Sequence, residues 1–592
     1  MVAPRFNRRQ RVRWLSLRIW LRRLAFWGGA VGIGLAATLF TDGANAAMKL
    51  FQRGVDQIFW LPLVVTPLTL AGVAAVTRRY FRGAEGSGIP QAIATLKMAE
   101  GVERGRVLSL KLAFGKMMLT CAGLLGGASV GREGPTVQVG AAILHALYRN
   151  LRYPGRLPER ALIVAGGAAG VAAAFNTPLA GIVFAIEEMS RSFEEKTSGT
   201  LLTAVIIAGL AAVYVQGNYT YFGTTHAEVS GAQGWLAVLL MGLWGGLAGG
   251  LFSRLLLAYS RHGLPGRAGR YLRAHPVLFA GLCGLVLALL GLISAHSVFG
   301  TGYDESRALL ENSREVPAYY GLLKLLATLV SFISGIPGGI FSPSLAVGAG
   351  LGANLAGLLP DAAPGAVIVL GMAAYFAGVV QAPITAFVIV MEMTDNQDML
   401  VPLMLTSLLA TAVSRSICRQ PIYKALAEQF LARRQQRPAA PAITVPSAPM
   451  RPVAGVEPVR RGLVVVQVVG VTAPALPGRQ TGEAQGPIIR GAQRVRVRRQ
   501  HPYARADADA QMAQQFGPAG GGERGVVIAA EQGCLVASGW CRSRRRLAAP
   551  AGGRAKTGSQ HSGLTAHGQQ CGRGGFGQQG SQRMGAVGRH HG

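Results

Sequence analysis

An arginine and a glutamate stand side by side in the segment GREGP (131–135), where an apolar stretch begins. The flanking sequence is rich in glycine, alanine and leucine, as membrane helices often are. Ionisable residues are energetically expensive inside a membrane, so they indicate functional sites there. A carboxylate at a helix N-terminus also lies where backbone N–H groups attract anions. Glu133 is therefore a candidate for a group that binds protons and competes with an anion.

The sequence around this segment recurs in the second half of the chain. Gly131 and Pro135 match Gly339 and Pro343, which lie 208 positions later. A second block repeats at an offset of 205, so that Gly166, Ala168, Ala169, Pro178 and Glu187 return as Gly371, Ala373, Ala374, Pro383 and Glu392. Two halves with helices broken by glycine and proline are typical of transporters whose ion site lies at the repeat interface.

The elements that must position these residues are predicted to be membrane helices. Half of the 592 residues are apolar. The uncharged stretch 277–296 reaches the roughly 20 residues that cross a bilayer, whereas 381–391 is too short to span alone. Irregular backbone within a membrane must be sheltered by other parts of the protein. We therefore predict an all-α, polytopic membrane protein with two repeated halves, at about 12–216 and 232–418.

The net charge of +32 is distributed as a membrane topology requires. The N-terminus is rich in arginine, and the loop 254–273 holds five arginines and no acid, whereas 217–231 has no lysine or arginine. The positive-inside rule predicts a cytoplasmic N-terminus in a cell inner membrane, with 217–231 outside. The apolar run 24–40 followed by Ala44-Asn45-Ala46 resembles a signal peptide, but we interpret it as the first membrane helix.

Residues 437–592 differ in character from the transmembrane domain predicted for 1–436. Arginine far outnumbers lysine there, and 463–472 is the only strand-like run. This composition predicts disorder. One interpretation is an Arg/Gly-rich tail that touches RNA or acidic lipid. The other, which we favour, is a frame-shifted or wrongly assigned C-terminus. A nucleic-acid-binding function would depend on this tail alone.

Three motifs stand in order along the chain: GSGIP (86–90), GREGP (131–135) and GGIFSP (338–343). The runs AAFNTPLAGIVFAIEEM (173–189) and EMTDN (392–396) accompany them, and Tyr423 opens the last helix. Together they resemble the CLC chloride channel and transporter family over about residues 12–434, and its prokaryotic chloride/proton antiporter branch in particular. The resemblance implies a CLC-type fold with inverted halves. It also implies a homodimer with one transport pathway per subunit.

The resemblance also implies which residues hold the anion. Chloride is expected to contact the Ser87 hydroxyl, the Tyr423 phenol and the backbone N–H groups of Ile340 and Phe341. Helix N-termini suit a halide because they offer partial positive charge without a full cation. Ser87 could instead be a simple helix N-cap. Tyr423 could be an aromatic anchor at the membrane interface.

Two glutamates are candidates for proton coupling. Glu133 resembles the gating glutamate of the family, although an ion pair with Arg132 or Lys116 is the alternative. Glu188 resembles the internal proton-transfer glutamate of the family's exchangers. The repeat separates it from Glu187, since Glu187 corresponds to Glu392 and is interpreted as structural, whereas Glu188 corresponds to Met393.

These residues favour chloride/proton antiport. The alternative is a passive, voltage- or pH-gated chloride channel on the same fold. One departure from the family concerns the residue after GSGIP, which is Gln91 where relatives often carry an acid. We predict that the protein is not an enzyme, since the sequence has no GxxxxGK[ST] phosphate loop. The six cysteines form no CxxC pair and show no metal-ligand spacing, so no cofactor, metal or structural disulfide is expected.

Overall fold

A computed structural model of the chain describes residues 17–98, 101–151, 159–190, 195–217, 219–435, 526–530 and 533–537. The chain divides into two units, residues 1–443 and 444–592, and every described helix belongs to the first. The prediction of an all-α, polytopic membrane domain is confirmed for this unit. The helices that are long and apolar enough to cross a membrane are Trp20–Gln57, Glu103–Leu125, Gly199–Gln216, Gly231–His262, Pro276–Ile293 and Leu400–Ile417.

The first half begins with a long helix that runs through Ala44-Asn45-Ala46 without a break. Its helices are α1 (Leu17–Gln57), α2 (Pro62–Tyr80), α3 (Ile89–Lys97), α4 (Val102–Val107), α5 (Leu110–Leu125), α6 (Glu133–Leu151), α7 (Glu159–Phe175), α8 (Pro178–Phe184) and α9 (Glu195–Gln216). A π-helical turn, Ala185–Ser190, continues α8. Such turns occur frequently at functional sites.

The second half contains the matching set of broken helices. Its helices are α10 (Gly231–His262), α11 (Gly266–Ala274), α12 (Pro276–Ile293), α13 (Tyr303–Glu311), α14 (Tyr320–Ile333), α15 (Phe341–Ala356), α16 (Pro364–Val380), α17 (Pro383–Thr394), α18 (Leu400–Ile417) and α19 (Ile422–Gln435). Several of them are shorter than a bilayer is thick, such as Tyr320–Ile333 and Pro383–Thr394. Surrounding protein buries Tyr320 at the start of the first and Thr394 at the end of the second.

Equivalent helices of the two halves pack in the same way. In the first half, α6 and α7 approach so closely that a Cβ at Gly140 would clash with the carbonyl of Gly166. In the second, a Cβ at Gly348 would clash with the carbonyl of Gly371 between α15 and α16. These glycines belong to the repeated blocks of the sequence. The repeat therefore specifies close helix packing, for which small residues are needed in a membrane.

The helix breaks are also repeated. Asn176 ends α7 and Gln381 ends α16, and both have left-handed backbones, with φ of 57° and 60°. Each is followed two residues later by a proline, Pro178 or Pro383, that begins the next helix. Proline suits a first helical turn because its missing N–H has no acceptor there. The chain thus breaks and restarts a helix at symmetry-related places.

The second unit contains a two-stranded antiparallel hairpin, β1 (Val526–Ala530) and β2 (Gly533–Ala537). The expectation of a tail with one strand-like run at 463–472 is wrong in this respect, because the hairpin lies elsewhere. The β-branched run Val526, Val527 and Ile528 favours a strand. The run 463–472 itself lies outside the described residues, as does the rest of the predicted tail.

Candidate anion and proton site

The three glycine-rich motifs meet in the structure, although more than 200 residues separate the second from the third. Gly131 and Gly339 exchange two backbone hydrogen bonds, each with an N···O distance of 2.7 Å. Gly86 donates to the carbonyl of Ile336 at 3.1 Å and accepts from the N–H of Gly338 at 3.2 Å. These contacts fix the GSGIP and GREGP motifs on either side of the GGIFSP motif.

Each motif is the N-terminus of a helix. Helix α3 begins at Ile89, α6 begins at Glu133 and α15 begins at Phe341. Gly88 has a φ of 104°, and a Cβ there would lie 2.8 Å from the carbonyl oxygen of Gly134, so only glycine fits. Three helix N-termini therefore converge, and their first-turn N–H groups and dipoles create a region of positive potential without a full cation.

Gln91 caps α3. Its side-chain oxygen accepts the Gly88 N–H at 2.9 Å, and its side-chain nitrogen donates to the carbonyl of Glu85 at 2.5 Å. An amide can both accept and donate, whereas an ionised acid can only accept. The departure of Gln91 from the family pattern therefore leaves the N-terminus of α3 satisfied by a neutral group.

The hydroxyls of Ser87 and Tyr423 are buried at this junction. The two residues are 1% and 0% exposed, and neither hydroxyl has a well-directed hydrogen-bond partner among the described residues. Ser87 does not act as a simple N-cap, because Gly88 holds that position and Gln91 supplies the cap. An aromatic anchor must be exposed to the membrane–water interface, and Tyr423 is not exposed at all. The two side chains lie close enough to interact with each other. Between them they have more hydrogen-bonding capacity than this one contact uses, which leaves room for an acceptor at the junction.

Ile340 and Phe341 begin α15 and are each 1% exposed. Backbone N–H groups in a first helical turn have no acceptor within the helix. The Phe341 ring packs against Phe376, with ring centroids 4.2 Å apart, and against Phe175 at 5.0 Å. Aromatic packing thus holds the start of α15 against both halves of the protein.

Glu133 is buried, with 1% of its surface exposed. Its Oε1 accepts a hydrogen bond from the Ser342 hydroxyl at 2.8 Å. Its Oε2 is buried and has no hydrogen-bond partner among the described residues. The two carboxylate oxygens are therefore inequivalent, with one held by Ser342 and one open to a proton.

The two cations proposed as alternative partners of Glu133 differ in position. Lys116 donates to the side-chain oxygen of Gln138 at 2.8 Å and forms no ion pair with Glu133. Arg132 Nε lies 3.8 Å from Glu133 Oε1, while its Nη1 donates to Asn45 on α1 at 2.6 Å. Of the two alternative partners, Arg132 is thus the one that lies near Glu133, although the contact is long for an ion pair. The arginine adds to the positive potential around the carboxylate.

Glu187 and Glu392 each cap the N-terminus of a helix in the opposite half of the protein. Glu187 accepts from the N–H groups of Ile384 and Thr385 at the start of α17, at 3.2 and 2.7 Å. Glu392 accepts from Leu179 and Ala180 at the start of α8, at 3.1 and 2.8 Å. The structural interpretation of Glu187, inferred from the repeat, is confirmed by this reciprocal arrangement.

Glu188 lies in the π-helical turn that follows α8 and is 3% exposed. Its charge, like that of Glu133, acts on the Tyr423 phenol, so both acids lie within electrostatic range of this residue. The symmetry-related residue, Met393, is buried and apolar. The structure thus places Glu133, Glu188, Ser87, Ile340, Phe341 and Tyr423 in one buried region.

Sequence reasoning missed two residues of this region, Ser342 and Tyr221. Ser342 holds Glu133, and the Tyr221 hydroxyl lies 3.3 Å from the Ser342 hydroxyl. Ser342 stands inside the third motif, where its position opposite GREGP in the repeat could have drawn attention to it. Tyr221 lies in the 219–230 connection, and no sequence pattern marked it.

A cavity of about 650 Å³ reaches the site at Ser87. One acid, Glu85, lies in its wall among the described residues. Six arginines line it: Arg78, Arg82, Arg261, Arg273, Arg433 and Arg434. This cavity is a positively charged mouth that leads from one surface of the protein to the GSGIP motif.

The fold and these three converging helix N-termini define a class of membrane proteins that move anions through a site between two repeated halves. The chain belongs to the voltage gated chloride channel family, whose model matches residues 69–415. It is similar to a slow cyanobacterial Cl-/H+ antiporter, with 26% identity and a TM-score of 0.60 over 71% of this chain and 100% of that one. A CLC-type fluoride/proton antiporter has the same fold, with 23% identity and a TM-score of 0.58 over 71% and 99% of the chains.

Proposed function

We propose that this protein exchanges chloride for protons across a membrane. The observation that carries the proposal is a buried carboxylate, Glu133, at the start of α6, where three helix N-termini and the buried hydroxyls of Ser87 and Tyr423 converge. Antiport needs one group that can hold either a proton or the place of an anion. Glu133 combines both properties, because it is acidic and lies where anions are attracted.

In this proposal chloride is held by the Ser87 and Tyr423 hydroxyls and by the N–H groups of Ile340 and Phe341. Ionised Glu133 imitates the anion and occupies its path. Protonated Glu133 loses that attraction and leaves the path, so proton binding and anion passage are coupled. Burial of the two hydroxyls supports the assignment, since neither has a well-directed hydrogen bond among the described residues.

Glu188 is proposed to deliver protons to Glu133 from the cytoplasmic side. Its burial within electrostatic range of Tyr423 supports this role. The N-terminus and the arginine-lined mouth are then cytoplasmic, as the positive-inside rule predicts. A homodimer with one pathway per subunit, which the family resemblance implies, stays a prediction.

The decisive experiment uses purified protein in liposomes with a chloride gradient and no proton gradient. Chloride efflux through the wild-type protein should drive protons in the opposite direction, recorded with paired chloride and pH electrodes. Glu133→Gln should still move chloride but no protons. If the wild-type protein moves chloride and leaves pH unchanged, the passive channel is the correct function.

A further inference from the structure

We propose that Ser342 and Tyr221 are positioning residues that hold the Glu133 carboxylate in its closed place and so limit the rate of transport. The proposal rests on the proposed function, because it concerns how the gate of that function is restrained. It is carried by a chain of hydroxyls between Glu133 and the 219–230 connection, and not by the family motifs.

The direction of this hydrogen-bond chain is determined by the number of protons available. A hydroxyl has one hydrogen to donate, and that of Ser342 is directed to Glu133 Oε1 at 2.8 Å. In the contact of 3.3 Å between Tyr221 and Ser342, the tyrosine must therefore be the donor. The chain runs from Tyr221 through Ser342 to the carboxylate. Each bond polarises the next, which strengthens the hold on an ionised acceptor.

The donors are fixed in place. The Tyr221 ring is 2% exposed and packs edge-on against Phe175, Phe222 and Tyr303, with centroids 5.3, 4.8 and 5.0 Å away. Ser342 lies in the first turn of α15 and is 4% exposed. Neither hydroxyl can follow the carboxylate if it moves. Glu133 must therefore give up a charge-assisted hydrogen bond before it can leave the site.

Protonation of Glu133 weakens the Ser342 bond, because a neutral carboxyl is a poorer acceptor than a carboxylate. The other charged or titratable groups that face Glu133 are Arg132, from the segment before α6, Tyr219, beside Tyr221, and Tyr423 on α19. None of them changes in a Ser342 variant. The Ser342 hydroxyl therefore holds the gate closed while the carboxylate is ionised.

The test measures chloride turnover per protein in liposomes as a function of pH. Ser342→Ala should raise turnover at neutral pH by about tenfold, which corresponds to the loss of one charge-assisted hydrogen bond. The flux should also reach half of its maximum at a higher pH than in the wild-type protein. The chloride-to-proton ratio should not change, because Glu133 and Glu188 remain. Ser253→Ala, which removes a buried hydroxyl bonded to the Val379 carbonyl at 2.9 Å, is the matched control and should leave both quantities unchanged.

Tyr221→Phe should act in the same direction but by less, because its bond is long. In a Ser342→Ala background it should have no further effect, since Tyr221 acts through Ser342. In a Glu133→Ala background, which has no side-chain acceptor at this position, both substitutions should be silent. Unchanged turnover and an unchanged pH midpoint in Ser342→Ala would overturn the proposal. So would slower proton transport at normal chloride flux, which would make the hydroxyls a proton route. An uncoupled wild-type protein would instead refute the proposed antiport.

Discussion

The two halves of the membrane unit share a scaffold but differ in charge at two places. Gly131 and Pro135 match Gly339 and Pro343, yet Glu133 between them corresponds to Phe341. Glu188 likewise corresponds to the buried Met393. One half thus carries an acid at a helix start and another in the π-helical turn after α8, whereas the equivalent positions in the other half are apolar. The unmatched positions are therefore the ones to examine for chemistry.

The matched positions, by contrast, specify the fold. Asn176 and Gln381 both end helices with left-handed backbones, and Glu187 and Glu392 each cap the first turn of a helix in the opposite half. Repetition thus marks residues that the architecture needs twice. Internal symmetry thus separates the acids that the architecture needs twice from those that occur in one half only.

The largest effect, on proton movement, is expected from Glu188, which has no acidic counterpart in the other half. Glu188→Gln should reduce chloride-driven proton movement to the level of protein-free liposomes, because a glutamine cannot take up a proton. Chloride flux should persist. The neighbouring substitution Glu187→Gln is the control, since it keeps an acceptor oxygen for Thr385, and it should transport protons at the wild-type ratio. Uphill proton movement by Glu188→Gln would remove the distinction between the halves.

The symmetric pair should instead affect stability. Glu187→Ala and Glu392→Ala each leave two backbone N–H groups without an acceptor, which should lower the free energy of unfolding by about 2–4 kcal/mol. The two losses should be similar. Thermal unfolding in detergent measures them. Glu428→Ala, which breaks an exposed pair with Lys97, is the control and should cost less than about 1 kcal/mol. Clearly unequal losses in the two halves would contradict reciprocal capping.

A smaller effect is expected at Ser87, which belongs to the one half whose GSGIP motif reaches the arginine-lined cavity. Ser87→Pro removes a hydroxyl donor from the proposed chloride site. The variant should favour nitrate over chloride compared with the wild-type protein. Anion efflux from liposomes loaded with each salt gives the ratio. Identical ratios in the two proteins would show that the Ser87 hydroxyl does not select the anion.

The smallest effect should follow removal of residues 437–592, which are C-terminal to both halves. A chain ending at Gln436 keeps α19 and Tyr423, so it should insert and transport as the full chain does. The composition of 437–592 offers little that could pack on a membrane domain. Liposome flux and coupling ratio are the measurements. Loss of transport by an inserted, truncated protein would give the tail a function.

Much of this arrangement can be predicted from sequence because it depends on local pattern. Glycine and proline mark the helix breaks, the offset of 205 links Glu187 to Glu392, and the motifs mark the three N-termini. The contact between Ser342 and Glu133 joins residues 209 positions apart and depends on side-chain direction. Tyr221 lies in an irregular connection with no period to reveal its direction. Such contacts arise from packing, which single-sequence patterns do not encode.

The arginine-lined cavity has a consequence for how often anions arrive. Six guanidinium groups around one confined mouth raise the local density of small anions above that of the bulk solution. Mobile salt ions screen such a field over about 8–10 Å at physiological strength. Encounters from this side should therefore become rarer as inert salt is added, while arrivals at the opposite mouth change less. The molecule would then conduct more readily in one direction in dilute solution, and this asymmetry would fade in concentrated salt.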